Sequence, residues 1–206
     1  MSVTCELAIA GAWVRPSDDN TDTRNEDAAL IALCIEGDEG AFRRLVDKYR
    51  PMVQRTIYAL LRDREAVRDL SQEAFVRVYG GLERFDRSRS FGTWLRRIAV
   101  NLAIDEMRRR RRRGETPLND QLLSEDRADP VSEAEAAEDR RAVREILDQL
   151  PIKYRTVLVL RELEGLSSEE VARIIGRPQV SVRWRLHRAR QMFRERWVAR
   201  FGEVEA

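Results

Sequence analysis

The sequence predicts an all-α protein of two small helical domains, a helical bundle and a helix-turn-helix unit, joined by an acidic linker. Three observations predict it. Apolar residues recur at spacings of three and four along most of the chain, and no stretch alternates convincingly with period two, so helices are expected and no sheet. Glycine and proline are few, 10 and 6, which suits helices with short connections. Charge is segregated beneath a net of only +2: Arg68–Arg113 holds 13 basic and 6 acidic residues, Glu115–Asp139 holds 1 and 9, and Val171–Arg200 holds 9 and 1. A length of 206 residues fits one ordinary domain or two small ones with a linker.

Residues 1–25 show no periodicity and read as a flexible N-terminal tail. Helical patterns follow from Glu26 to Gly37 and from Asp38 through Leu61, where Phe42, Leu45, Val46 and Tyr49 share a face. Pro51 is expected to kink the second helix or mark a boundary in it. A third helix, Arg64 to Leu82, places Val67, Leu70, Ala74, Phe75, Val78 and Leu82 on one side. After the polar loop Glu83–Ser90, an amphipathic helix runs from Phe91 to about Arg112 with Trp94, Leu95, Ile98, Leu102 and Met107 inward. Together 26–113 form the first unit. The acidic stretch 114–130, punctuated by Pro117 and Pro130, reads as the linker. The second unit, 131–206, opens with helices at 131–150 and 151–163, Pro151 sitting well at a helix start. Two units with separate cores are expected.

The clearest motif lies near the C-terminus. Ser167 caps a helix and Glu170, three residues on, completes a capping box. Val171, Ile174 and Ile175 are inward, Gly176 ends the helix in a left-handed turn, and Pro178 starts the next. There Val182, Leu186, Ala189 and Phe193 form a core stripe. Val180, Trp184, His187, Arg188 and Gln191 face the other way, flanked by Arg183, Arg185, Arg190 and Arg194. A short helix, a tight turn and a longer helix with a basic outer face make a helix-turn-helix, whose edge arginines reach phosphates while central side chains meet base edges. The alternative is a solvated cationic helix in a bundle.

This segment resembles region 4 of a bacterial sigma factor, through Leu150-Pro151, Arg161 to Ser167, Glu170-Val171-Ala172 and Val182 to Arg190. Asp69 to Tyr79 resembles region 2.2, and Phe91 to Asn101 with the following arginine tract resembles regions 2.3 and 2.4. The order and separation fit, over roughly 27–196, and no large region 3 domain intervenes. The chain therefore resembles the compact extracytoplasmic-function group. Val180 stands where that family often has glycine, Trp184 where a small residue is usual, and Arg68 where an acidic one is common.

The resemblance implies an alternative sigma factor that binds core RNA polymerase, through its β and β′ subunits, and directs initiation at promoters by recognising −10 and −35 elements. Asp69, Gln72, Glu73 and Phe75 would dock on the polymerase; Phe75 as an exposed aromatic, or as core, are both open readings. Phe85, Arg87, Phe91, Trp94, Arg96, Arg97, Asn101 and Arg108 would recognise and melt the −10 element. An unstacked base needs an aromatic to rest on, although Trp94 also lies on the apolar stripe. Arg108–Arg113 would attract phosphate, or be a frayed helix end or a docking patch. Ser181, Arg183, Trp184, Arg185, His187 and Arg188 would read the −35 element. The resemblance also implies an anti-sigma partner.

The residues support no catalytic site: no nucleophile stands near a base, and there is no carboxylate cluster at metal spacing and no phosphate-binding glycine loop. Cys5, Cys34 and the lone His187 suggest neither disulfide nor metal site, and no cofactor is expected. No apolar run approaches a membrane span, and Leu7–Val14 lacks a basic leader, so no membrane insertion and a cytoplasmic protein are expected. A two-domain helix-turn-helix regulator acting without joining polymerase is the alternative, but it leaves Asp69–Asn101 unexplained.

Overall fold

The computed structural model describes residues 21–114 and 130–202, and these contain helices and no strand. The helices are α1 (Thr21–Ile35), α2 (Glu39–Leu61), α3 (Arg64–Tyr79), α4 (Phe91–Arg113), α5 (Pro130–Gln149), α6 (Ile152–Leu158), α7 (Ser168–Ile175) and α8 (Gln179–Phe201). Helix α1 begins at Thr21, inside the stretch expected to be a tail; residues 1–20, with Cys5, and most of the acidic linker lie outside the described residues.

Aspartate and serine side chains start α2, α3 and α4. Asp38 accepts from the Ala41 N–H at 3.1 Å, Asp63 from Ala66 at 3.0 Å and Ser90 from Thr93 at 3.3 Å, each satisfying a donor that the first turn leaves unpaired. Helix α2 packs on both α3 and α4, with α1 laid against it. Leu45, Val53, Ile57, Ala74, Val78, Leu95 and Ala99 are sealed between them. The expected inner face of α3 is buried as a set, from Val67 to Leu82, with Leu82 in a short 3-10 turn after the helix ends at Tyr79. Helix α2 continues through Pro51. That residue is exposed, so the hydrogen bond lost by lacking an N–H lies on the solvent side.

The second unit packs α6 and α7 against α8. The capping box at Ser167 and Glu170 is formed in both directions, at 3.1 and 2.6 Å. Gly176 ends α7 with φ +64°, and Val182, Leu186, Ala189 and Phe193 are buried as the spacing predicts. One feature departs from the predicted regular helix over 151–163: the chain widens into a π turn over Val159–Leu163, with Glu164 N–H donating to the Val159 carbonyl at 3.0 Å. Within that turn Glu162 holds Arg190 at 2.5 Å, and just after it Glu164, its side chain buried, meets Arg55 at 3.4 Å and the Thr56 hydroxyl at 3.3 Å.

Those last contacts cross between the units, and they correct the expectation of separate cores. The buried apolar side chains of both halves form one contiguous cluster, with α4 against α7 and α6. The seam is nevertheless rich in charge. Arg155 donates to the Leu60 carbonyl at 2.5 Å and lies 2.7 Å from Asp148, which Arg62 also approaches at 3.4 Å. The Arg155–Asp148 pair is close but off-axis, and Arg62 Nη2 and Arg155 Nε are buried without a hydrogen-bond partner. Burial pushes the Arg62 guanidinium down to about 10, with Asp148 opposing the shift, and burial lowers Arg155 as well. Removing the carboxylate shared by two buried cations is costly. Asp148→Ala is expected to lower the unfolding free energy by about 3 kcal/mol in urea titrations. A loss under about 1 kcal/mol would show that the seam does not depend on this ion pair.

Candidate polymerase and nucleic-acid interfaces

A groove of about 800 Å³ runs between α2 and α3. Its floor is apolar, from Phe42, Val46 and Phe75, and Arg43, Arg50 and Arg68 rim it. Gln72 lines it, while Asp69 and Glu73 stand exposed on the same helix, Glu73 paired with Arg77 at 2.6 Å. Phase along α3 decides the rest. Phe75 lies on the inward stripe and is only 8% exposed, so the reading of it as an exposed docking aromatic is corrected. The exposed apolar residues here are its neighbours Val76 and Tyr79, the latter edge-on to Phe42 at 4.9 Å. The buried Ser71 hydroxyl in the groove wall makes no hydrogen bond.

The loop before α4 is ordered by its own polar groups. Ser88 donates from its N–H (3.0 Å) and hydroxyl (2.6 Å) to Asp86, and Arg89 donates to the other oxygen at 3.0 Å. The Ser88 hydroxyl, then its N–H, holds the Asp86 carboxyl below the usual range, with Arg89 adding to it. This turn presents Arg87 to solvent. Phe85 stacks on Trp94 at 4.7 Å, and both are half-buried; the indole can lie close because Gly81 offers no Cβ, which would sit 3.2 Å from the ring. Phe91 is 2% exposed and edge-on to Tyr49 at 5.2 Å, so it is a core residue and not an available stacking platform.

Along α4, Arg97, Asn101 and Arg108 are exposed, Arg108 beside Asp105 at 3.1 Å. Arg96 is only 5% exposed, a second correction to the expected DNA-facing set. It lies where α4 meets α7, close enough to help lower Glu170. Arg97 reaches toward the turn of the helix-turn-helix, where a Cβ on Gly176 would meet its Nη2 at 3.4 Å. The arginine tract is helical to Arg113, which argues against a frayed end. Arg110 is turned inward to Asp63 at 2.6 Å and Glu106 at 2.8 Å, while Arg108, Arg109 and Arg111–Arg113 are exposed.

On α8 the outer face carries Arg183, Trp184 and His187 in the open, with Ser181, Arg185 and Arg188 half-buried at its sides. Arg188 donates to Gln191 at 2.8 Å. The face lies opposite the buried stripe, as a helix offered to a groove requires.

Comparison with known proteins fits this arrangement. The chain matches the family models for Sigma-70 region 2 over residues 45–113 and Sigma-70, region 4 over residues 140–193. The ECF RNA polymerase sigma factor SigW of Bacillus subtilis is 34% identical over 171 residues, covering 78% of this chain and 90% of that protein. The chain belongs to the ECF RNA polymerase sigma factors. The ECF RNA polymerase sigma-E factor of Haemophilus influenzae is 35% identical, over 81% of this sigma factor and 92% of its own length. Among solved structures, CnrH in complex with the cytosolic domain of CnrY superposes with a TM-score of 0.60 at 26% identity, covering 84% of this chain and 98% of that one. The sigma factor RpoE in complex with the anti-sigma factor NepR from Bartonella quintana shares the fold, with a TM-score of 0.60 at 19% identity over 76% and 96% of the two chains.

The described residues of this alternative sigma factor include no helix long and apolar enough to cross a membrane, and no cluster of three metal-ligating side chains. Its −10 candidates divide into an exposed set, Arg87, Arg97, Asn101 and Arg108, a half-buried pair, Phe85 and Trp94, and an enclosed set, Phe91 and Arg96. Val76, Tyr79 and Val180 are exposed apolar residues outside the expected site set; Val76 and Val180 lie opposite the inward stripes of their helices, a phase legible in the sequence. Asp63 links the tract to the fold. Burial raises its carboxyl, but the Ala66 N–H and Arg110 outweigh that and hold it low. A depressed folded-state value gives stability that is present above the unfolded value of about 3.9 and lost as pH falls through the folded one. Asp63→Asn is therefore expected to flatten the acid-side loss of stability between about pH 5 and pH 3, measured by urea unfolding at each pH. An unchanged slope would remove Asp63 from this role.

Proposed function

We propose that this sigma factor docks on core RNA polymerase through the α2–α3 groove, with Asp69, Gln72 and Glu73 around it, and reads promoters with its two remaining faces. In this reading Arg87, Arg97, Asn101, Arg108 and the Phe85–Trp94 stack meet the −10 element. Ser181, Arg183, Trp184, Arg185, His187 and Arg188 meet the −35 element. The observation that carries it is a helix-turn-helix with an arginine-flanked outer face on the same chain as an apolar groove that has polar residues at its edge.

The division into 26–113, a linker over 114–130, and 131–206 belongs to this reading, and the extents of the two family matches support it. The protein works in the cytoplasm as a specificity subunit with no catalysis of its own. Arg96 joins the DNA only after α7 lifts from α4, so the contiguous seam describes a closed state of the free chain; Phe91 stays in the core against Tyr49. An anti-sigma protein holds the factor inactive; the relative crystallised with NepR and named as a complex with an anti-sigma factor supports that partner.

Transcription in vitro with purified core polymerase tests the reading. Promoter-dependent transcripts are expected only when both are present. Gln72→Ala with Asp69→Ala should weaken retention on core polymerase about tenfold without altering the fold. Arg183→Ala should weaken binding about equally across −35 sequences and lower its salt dependence by about one phosphate contact. Sequence-specific DNA binding that persists without polymerase, together with no retention on core, would instead identify a regulator acting alone.

A further inference from the structure

Two large apolar side chains occupy the outer face of α8 where polar ones would be expected. Val180 is 77% exposed and Trp184 is 60% exposed. They lie four residues apart, so they share one side of the first two turns, directly opposite the buried stripe of Val182 and Leu186. The indole leans toward the buried Tyr154 ring, 6.2 Å between centroids, and most of it remains uncovered. Exposed Arg183 and half-buried Arg188 flank the pair, so the patch sits inside a cationic surface suited to a polyanion.

We infer that Val180 and Trp184 form an apolar reading pair for the C5-methyl groups of thymine in the major groove of the upstream promoter element. This rests on the reading of α8 as the −35 recognition helix. The major groove, roughly 12 Å wide, accepts a helix, and the thymine methyl is the apolar group that a base edge presents there. A purely polar helix face recognises donors and acceptors; an apolar pair gains only where water is displaced from another apolar group. Four residues advance about 6 Å along the helix axis, close to two base steps at about 3.4 Å each. The pair therefore spans A·T pairs one or two steps apart, and Arg183 and Arg188 hold the helix to the backbone on either side.

The test uses the full chain assembled with core polymerase, on a promoter duplex recovered from transcripts that rise when the chain is overexpressed. Each thymine of the −35 element, on both strands, is replaced in turn by deoxyuridine, which removes the methyl and keeps the base pairing. At one or two positions deoxyuridine should weaken binding about fourfold, the change for one buried methyl group. A Val180→Ala, Trp184→Ala double variant should bind more weakly and be indifferent to the replacement. Both side chains are exposed, so its helical content should match the parent. Three outcomes overturn the inference while leaving the −35 assignment intact: a −35 element with no thymine, no effect of deoxyuridine at any position despite loss of binding to a scrambled element, or an equal effect in the double variant. Indifference to scrambling, with Arg183→Ala also silent, would sink the −35 assignment itself.

Discussion

Asp148 is the carboxylate that Arg62 and Arg155 share, and the relation between the two halves of the molecule depends on it. Arg62 terminates α2, Arg155 lies on α6, and Asp148 sits at the end of α5, so three helices from both units converge on one charge. A buried ion pair gains little over an apolar contact of the same shape, because two charges must first leave water. Its worth here is geometric. Arg155 also grips the Leu60 carbonyl, one of the acceptors that the end of α2 leaves unpaired, so α6 is tied to the last turn of α2. A seam built this way is selective for one arrangement and still separable, because every charged group in it can be re-solvated when the halves part.

The same seam determines which surfaces the factor shows. With α7 over α4, Arg96 is enclosed and Arg97 lies along the helix-turn-helix turn, while the outer face of α8 and the α2–α3 groove remain exposed. Two of the three proposed interaction faces are thus presented in the closed molecule and the third is partly folded away. The aromatic group of Phe85, Phe91 and Trp94 shows a comparable division. Phe91 anchors the loop to the core through Tyr49, and Phe85 with Trp94 forms the part that solvent can reach.

Local signals in the sequence carried much of this. Ser167 and Glu170 announce a capping box, Gly176 a left-handed turn, and Val182 to Phe193 a buried stripe, and each depends only on neighbours within a few residues. The segmental charge marks two basic stretches around an acidic one, and the order of the motifs, through the family they resemble, implies a sigma factor. The burial of Arg96 depends on a helix distant along the chain. An arginine such as Arg96 reads as surface because burial of a cation is costly, and nothing nearby in sequence signals that α7 will cover it. Phe75 and Phe91 lie on apolar faces; periodicity marks Phe75 as inward, and the docking role that the resemblance implies leaves it open between core and exposed aromatic. The π turn at Val159–Leu163 has no local signature in this chain. It accompanies pairings of Glu162 and Glu164 with residues 28 and 109 positions away.

Arg62 shows how one position can serve two masters. It adopts φ +54°, a left-handed backbone in which glycine would rest without strain, and it is the only described residue other than glycine to do so. Backbone comfort favours losing the side chain there, whereas the grip on Asp148 requires keeping it. A change that relaxed the end of α2 would therefore slacken the hold between the halves, so the local fitness of a helix terminus and the posture of the whole factor pull against each other at a single residue.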